Sequence, residues 1–125
     1  MEAINKNFIN NTYEMFREVT HTRKLILFGC GREANVAFDR FLNGLKVDYF
    51  IDNDASRWYT KFREYEILPP IFLQNEDMEN VVILISRQRI FGAEEQLLKL
   101  GVKYYFASVA FIDMNLDKGD FLIIL

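Results

Sequence analysis

Lys24-Leu25-Ile26-Leu27-Phe28-Gly29-Cys30-Gly31-Arg32-Glu33-Ala34 begins as an apolar run, breaks at two glycines one residue apart and continues with the spacing of a helix. Strand, glycine turn and helix in that order open a nucleotide-binding βαβ unit. Gly29 permits the sharp turn off the strand, because without a Cβ it reaches backbone angles closed to other residues. Gly31 removes side-chain bulk where a pyrophosphate would approach, and Ala34 takes the third small position of the fingerprint. The free N–H groups and partial positive charge of the helix start favour an anion there. The next apolar run, Val47-Asp48-Tyr49-Phe50-Ile51, reads as a second strand ending at Asp52, 23 residues beyond Gly29. An acid in that position holds ribose hydroxyls and repels a 2′-phosphate, which favours NAD over NADP if the ligand is a nicotinamide cofactor.

Outward from this unit the pattern stays α/β. Ile4, Phe8, Thr12, Met15 and Val19, widened by Ile9 and Phe16, predict an amphipathic helix within residues 1–22 that packs on the domain. A helix over about 32–43 turns Ala34, Ala37, Phe38, Phe41 and Leu42 inward and stops at Gly44. Glu66-Ile67-Leu68 predicts a short strand ended by Pro69-Pro70, with a brief helix over about 71–77. Val81-Val82-Ile83-Leu84-Ile85 is apolar throughout, as in a central parallel strand covered on both faces. A helix over about 88–100 buries Ile90, Ala93, Leu97 and Leu100 and stops at Gly101; Lys103-Tyr104-Tyr105-Phe106-Ala107 is the next strand. Phe121-Leu122-Ile123-Ile124-Leu125 reads as an edge strand or a tail that meets a partner. The expectation is a three-layer Rossmann-like fold with a mostly parallel sheet, residues 23–125, plus the added N-terminal helix.

Composition narrows the function classes. At 125 residues the chain suits one domain. A formal net charge of −3 argues against a nucleic-acid partner and an anionic membrane. One cysteine and one histidine supply neither an internal disulfide nor a structural zinc site, and no run approaches membrane-spanning length, so a cytoplasmic protein is expected. No tyrosine is followed by Lys four residues on, as short-chain dehydrogenases and epimerases require, and there is no phosphate-loop or nucleophile-elbow motif, so no complete active site is visible. The candidate ligand-binding residues are Gly29, Cys30, Gly31, Arg32, Asp52, Asn53, Asp54 and Ser86. Cys30, beside a helix N-terminus, is either a reactive thiol or a small filler. Trp58 either clamps a base or covers a core edge.

Taken together, LILFGCGREA, VDYFIDNDASRW, YEILPP and VVILIS resemble the small Rossmann-like domains of bacterial sugar-nucleotide and surface-polysaccharide proteins. These include the front domain of certain sugar acetyltransferases and accessory domains of glycosyltransferases and methyltransferases. The resemblance spans about residues 24–106 and is most specific at the Asp52-Asn53-Asp54 turn with Trp58. It implies nucleotide contacts from Gly29, Gly31, Asp52, Asn53 and Asp54. Tyr59 and Glu64 stand where that group often has glycine, and the catalytic second domain of its enzymes is not read in this chain. The leading expectation is therefore a nucleotide-sugar-binding domain that serves a partner enzyme. The alternatives are an NAD(H)-binding module and a ligand-free assembly domain, including a homodimer.

Overall fold

The computed structural model describes the backbone of residues 6–112, with side chains from 12 to 111. Helix α1, Lys6–His21, leads into β1, Lys24–Phe28, then α2, Arg32–Arg40, and β2, Val47–Ile51. A hairpin of β3, Lys61–Phe62, and β4, Tyr65–Leu68, follows, then β5, Val81–Ile85, α3, Phe91–Lys99, β6, Tyr105–Ala107, and α4, Val109–Ile112. The sheet order is β3-β4-β2-β1-β5-β6. All neighbours pair in parallel except β3 with β4. The chain winds outward from β1 in both directions, so strand order reverses between β1 and β5, and a crevice opens beyond their carboxyl ends.

Strand periodicity explains the layers. Leu25 and Leu27 of β1, with Val82 and Leu84 of β5, face a core shared with Ala34 and Ala37 of α2, Phe41 at its C-cap, Phe16 of α1 and Phe111 of α4. Ile26, Phe28, Ile83 and Ile85 face the opposite core with Ala93 and Leu97 of α3 and with Leu73. Apolar residues on both faces of β1 and β5 produce the uninterrupted hydrophobic runs seen in the sequence.

Several expectations are corrected. The buried line of α1 centres on Phe16, which is fully enclosed, whereas Met15 is 53% exposed. The side chains of Ile4, Phe8 and Ile9, and the Phe121–Leu125 segment, lie outside the described residues. The brief helix after Pro69 is present as a 3-10 helix, Pro70–Asn75, in place of the expected 71–77. Helix α3 starts at Phe91 because Gln88 and Arg87 run along the crevice instead, and the first i−4 bond is donated by Glu94 to the Ile90 carbonyl. No helix among the described residues is long and apolar enough to cross a membrane.

The β3–β4 hairpin carries no glycine and was not anticipated from the sequence. Arg63 and Glu64, its two loop residues, have φ of 50° and 71°, and Tyr59 has φ of 67°. The loop therefore keeps the backbone that glycine would favour at 59 and 64, with Tyr59 turned out to solvent. Arg63 is held by Asn35 Oδ1 at 2.8 Å and lies over the Phe38 ring, which offsets its strain, while Glu64 has no partner among the described residues. Glu64→Gly is expected to stabilise the domain by about 0.5–1 kcal/mol, since two-residue hairpin loops favour glycine at positive φ. Urea denaturation followed by circular dichroism checks it; a lower midpoint would show that the loop does not depend on that angle.

Candidate functional site

The crevice is a cleft of about 650 Å³ bordered by the glycine turn, the acidic turn after β2 and Ser86-Arg87-Gln88 after β5. That size lies within the usual range for small-molecule sites. At its floor Gly29 has φ of 109°, and its N–H donates to the Ile51 carbonyl at 2.9 Å, tying the turn to the end of β2. A Cβ on Gly29 would lie 2.5 Å from Arg87 Cγ and 2.9 Å from the Ser86 carbonyl oxygen. Gly31 differs: φ is −134°, and a Cβ there would meet nothing within 4 Å. Gly29 is thus demanded by the protein's own packing, and Gly31 is not.

Asp52 links the turn to the acidic loop. One carboxylate oxygen accepts from the Cys30 N–H and the Cys30 thiol, both at 3.3 Å, and the other accepts from the Asp54 N–H at 2.8 Å. A carboxylate offers about four lone-pair sites, so room for one further donor remains. Asp54 caps the 3-10 turn Ala55–Arg57, its Oδ1 accepting from the Ser56 N–H and hydroxyl. Arg57 reaches back from that turn and donates through Nη1 to the Cys30 carbonyl at 2.8 Å. Trp58 packs against the core and donates its indole N–H to the Asp52 carbonyl, so it steadies the loop that carries the acid.

The remaining sequence candidates divide. Arg32 is exposed on the rim and has no polar partner among the described residues. Asn53 exchanges two amide hydrogen bonds with Gln96 of α3, at 2.9 and 2.8 Å, and so ties the acidic turn to α3. The Ser86 hydroxyl is buried and donates toward the Gly29 carbonyl at 2.6 Å, bracing the turn from β5. Arg57 and Arg87 also line the cleft. Their positions in the sequence, three residues beyond Asp54 and one beyond Ser86 at strand ends, mark Arg57 as a clamp for a base or sugar together with Trp58, and Arg87 as a ligand contact or a cap of the next helix.

Cys30 is a filler, not a reactive thiol. Burial chiefly, then the hydrogen bond and charge of Asp52, push its pKa up to about 11, against a smaller opposing pull from Arg57. These outweigh the lowering effect of the adjacent helix start, which decides for the filler of the two alternatives. Because the unfolded thiol ionises at lower pH, keeping the proton stabilises the fold below the ordinary thiol pKa, and this contribution is lost as pH rises toward about 11. At pH 8 an aromatic disulfide reagent is expected to label Cys30 about a hundredfold more slowly in the folded protein than in urea. Equal rates would mean an open, ionised thiol.

A glycine turn at the switch point of a parallel sheet, with an acid beyond the second strand, defines a Rossmann-like fold. Solved structures agree. The chain is similar to "RSP in complex with beta-NAD+ and operator DNA", with 16% identity and a TM-score of 0.52 over 78% of this chain and 48% of that one. It is similar also to "RSP, a Rex-family repressor", again with 16% identity and a TM-score of 0.52, over 82% of this chain and 51% of that one. The chain thus spans about half the length of the structures it matches. No protein-family model and no curated protein matches it. The comparisons support the Rossmann-like fold and lend nothing to a sugar-nucleotide family. They also correct the exclusion of nucleic acid: this fold occurs in a protein crystallised with operator DNA. Net charge averages over a whole surface, whereas DNA responds to local clustering of Lys and Arg, so −3 excluded too much.

Proposed function

We propose that the domain binds NAD(H), with the pyrophosphate on the Gly29–Gly31 turn and the adenosine ribose at Asp52. The observation that carries this reading is Gly31. It has a negative φ, faces the cleft and has open space where a Cβ would be, so a ligand that approaches the backbone closely accounts for glycine there better than the protein's own packing does. Asp52 favours NAD(H) over the 2′-phosphorylated cofactor by charge. The beta-NAD+ in the RSP complex, a protein of the same fold, supports the same ligand class.

Trp58, the only tryptophan, provides the assay, since its indole touches the Asp52 carbonyl. Titration with NADH is expected to quench Trp58 saturably and to bind at least about tenfold more tightly than NADPH. Asp52→Ala is expected to weaken NADH by about tenfold or more, the equivalent of one charged hydrogen bond. Calorimetric binding of uridine or thymidine diphosphate sugars with none for NADH would transfer the site to nucleotide sugars. Binding of neither would leave an assembly domain with a vestigial cleft.

A further inference from the structure

The geometry points to Arg57 and Arg87 as a two-sided clamp for the diphosphate of the ligand, a deepening that rests on the nucleotide-binding reading above. The two side chains reach the glycine turn from different elements. Arg57 comes from the 3-10 turn after β2 and lies against Cys30, with Nη1 2.8 Å from its carbonyl oxygen and 3.1 Å from its sulfur. Arg87 comes from the end of β5 and lays its stem over Gly29, where a Cβ would stand 2.5 Å from its Cγ and 3.2 Å from its Cδ. Its guanidinium is 5.5 Å from the centroid of the Phe28 ring. Both residues line the same cleft as Gly31.

The charge pattern around the two arginines is uneven. Arg87 is partly buried, yet among the described residues it has no hydrogen bond or ion pair, only the ring contact with Phe28. Of the acids lining the cleft, Asp52 is turned to Cys30 and Asp54, Asp54 to Ser56, and Glu33 forms no ion pair with either arginine among the described residues. Arg57 uses Nη1 on Cys30 and holds Asp54 only loosely, with Nε 3.8 Å from its carboxylate, which leaves Nη2 uncommitted among the described residues. A half-buried Arg87 without an ion pair and an exposed Arg57 held only loosely by Asp54, both beside free helix N–H groups, fit an anion with several oxygens. A planar fork can take two oxygens at once, so a diphosphate between two forks satisfies both arginines while the backbone of the turn meets it from below.

The clamp predicts selectivity for phosphates over the nucleoside. Wild type, Arg87→Met, Arg87→Lys and Arg57→Met are titrated with NADH and ADP by calorimetry, and with millimolar adenosine by ligand-observed NMR. Melting temperatures of the free proteins serve as the folding control. Arg87→Met is expected to weaken NADH and ADP by tenfold or more, leave adenosine unchanged and flatten the salt dependence of ADP binding, with Arg87→Lys recovering part of the loss. Arg57→Met is expected to act the same way after its own melting temperature is taken into account. If wild type binds ADP and NADH while both Met variants bind them equally well, the clamp fails and the nucleotide reading stands. Equal weakening of adenosine and ADP would also overturn it, by assigning the arginines to the shape of the cleft. If wild type binds none of the three, the nucleotide reading fails and the clamp fails with it.

Discussion

Gly29→Ala is expected to destabilise the domain by about 2–4 kcal/mol, the sum of a backbone angle that side chains rarely adopt and an overpacked site. The angle is φ of 109°, and the new methyl would meet the Ser86 carbonyl at 2.9 Å as well as the Arg87 stem. The arginine can move, but the carbonyl belongs to the backbone at the end of β5 and cannot yield without opening the β1–β5 ladder, where Ser86 N–H bonds to the Phe28 carbonyl at 2.9 Å. Gly31→Ala, two residues on, separates fold from function. It should cost about 1 kcal/mol or less, reflecting the poorer fit of alanine at a helix N-cap. It is expected to reduce NADH affinity by about tenfold or more, because the methyl occupies the approach of the pyrophosphate. Chemical denaturation and Trp58 quenching on both variants make the comparison. Similar losses of stability in the two would remove the argument that Gly31 serves a ligand.

Phe16→Ala carries the largest expected effect, about 3–5 kcal/mol, the usual result of emptying an aromatic side chain from a closed core. Phe16 is fully buried, with ring centroids 5.4 Å from Phe106 and 5.1 Å from Phe111, and Phe111 also meets Tyr13 at 5.2 Å. Helix α1 therefore closes one core by joining β6 and α4. A loss of this size is a large part of the 5–15 kcal/mol or so that holds an ordinary domain together. Met15→Ala, one residue away and exposed, should stay within about 0.5 kcal/mol. Thermal melts of the pair decide the matter: a small effect at Phe16 would mean that α1 is dispensable to the fold.

The contrast between Met15 and Phe16 shows where reading the sequence stopped. Both fall on an apolar stripe, and helical spacing alone places the stripe but not its centre, which depends on the rings that α4 and β6 present. Periodicity succeeded where one element buries its whole pattern, as in β1, β5 and the inward residues of α2. It missed the β3–β4 hairpin, because Arg63 and Glu64 lack the glycine or asparagine that marks such loops, and contacts of Arg63 with Asn35 and Phe38 hold the turn instead.

The sequence by itself determined the parallel α/β sheet, the glycine turn and the acid placed to meet it, because strand and helix periods and glycine's missing Cβ act within a few residues. The tertiary structure alone decided that Gly29 answers to Arg87 and Ser86, that Cys30 stays protonated, and that Asn53 bonds to Gln96. It alone brought Arg57 and Arg87 to the same turn. Those facts depend on which loops the sheet order sets side by side, and on how far burial and neighbouring charge outweigh the local chemistry of each residue.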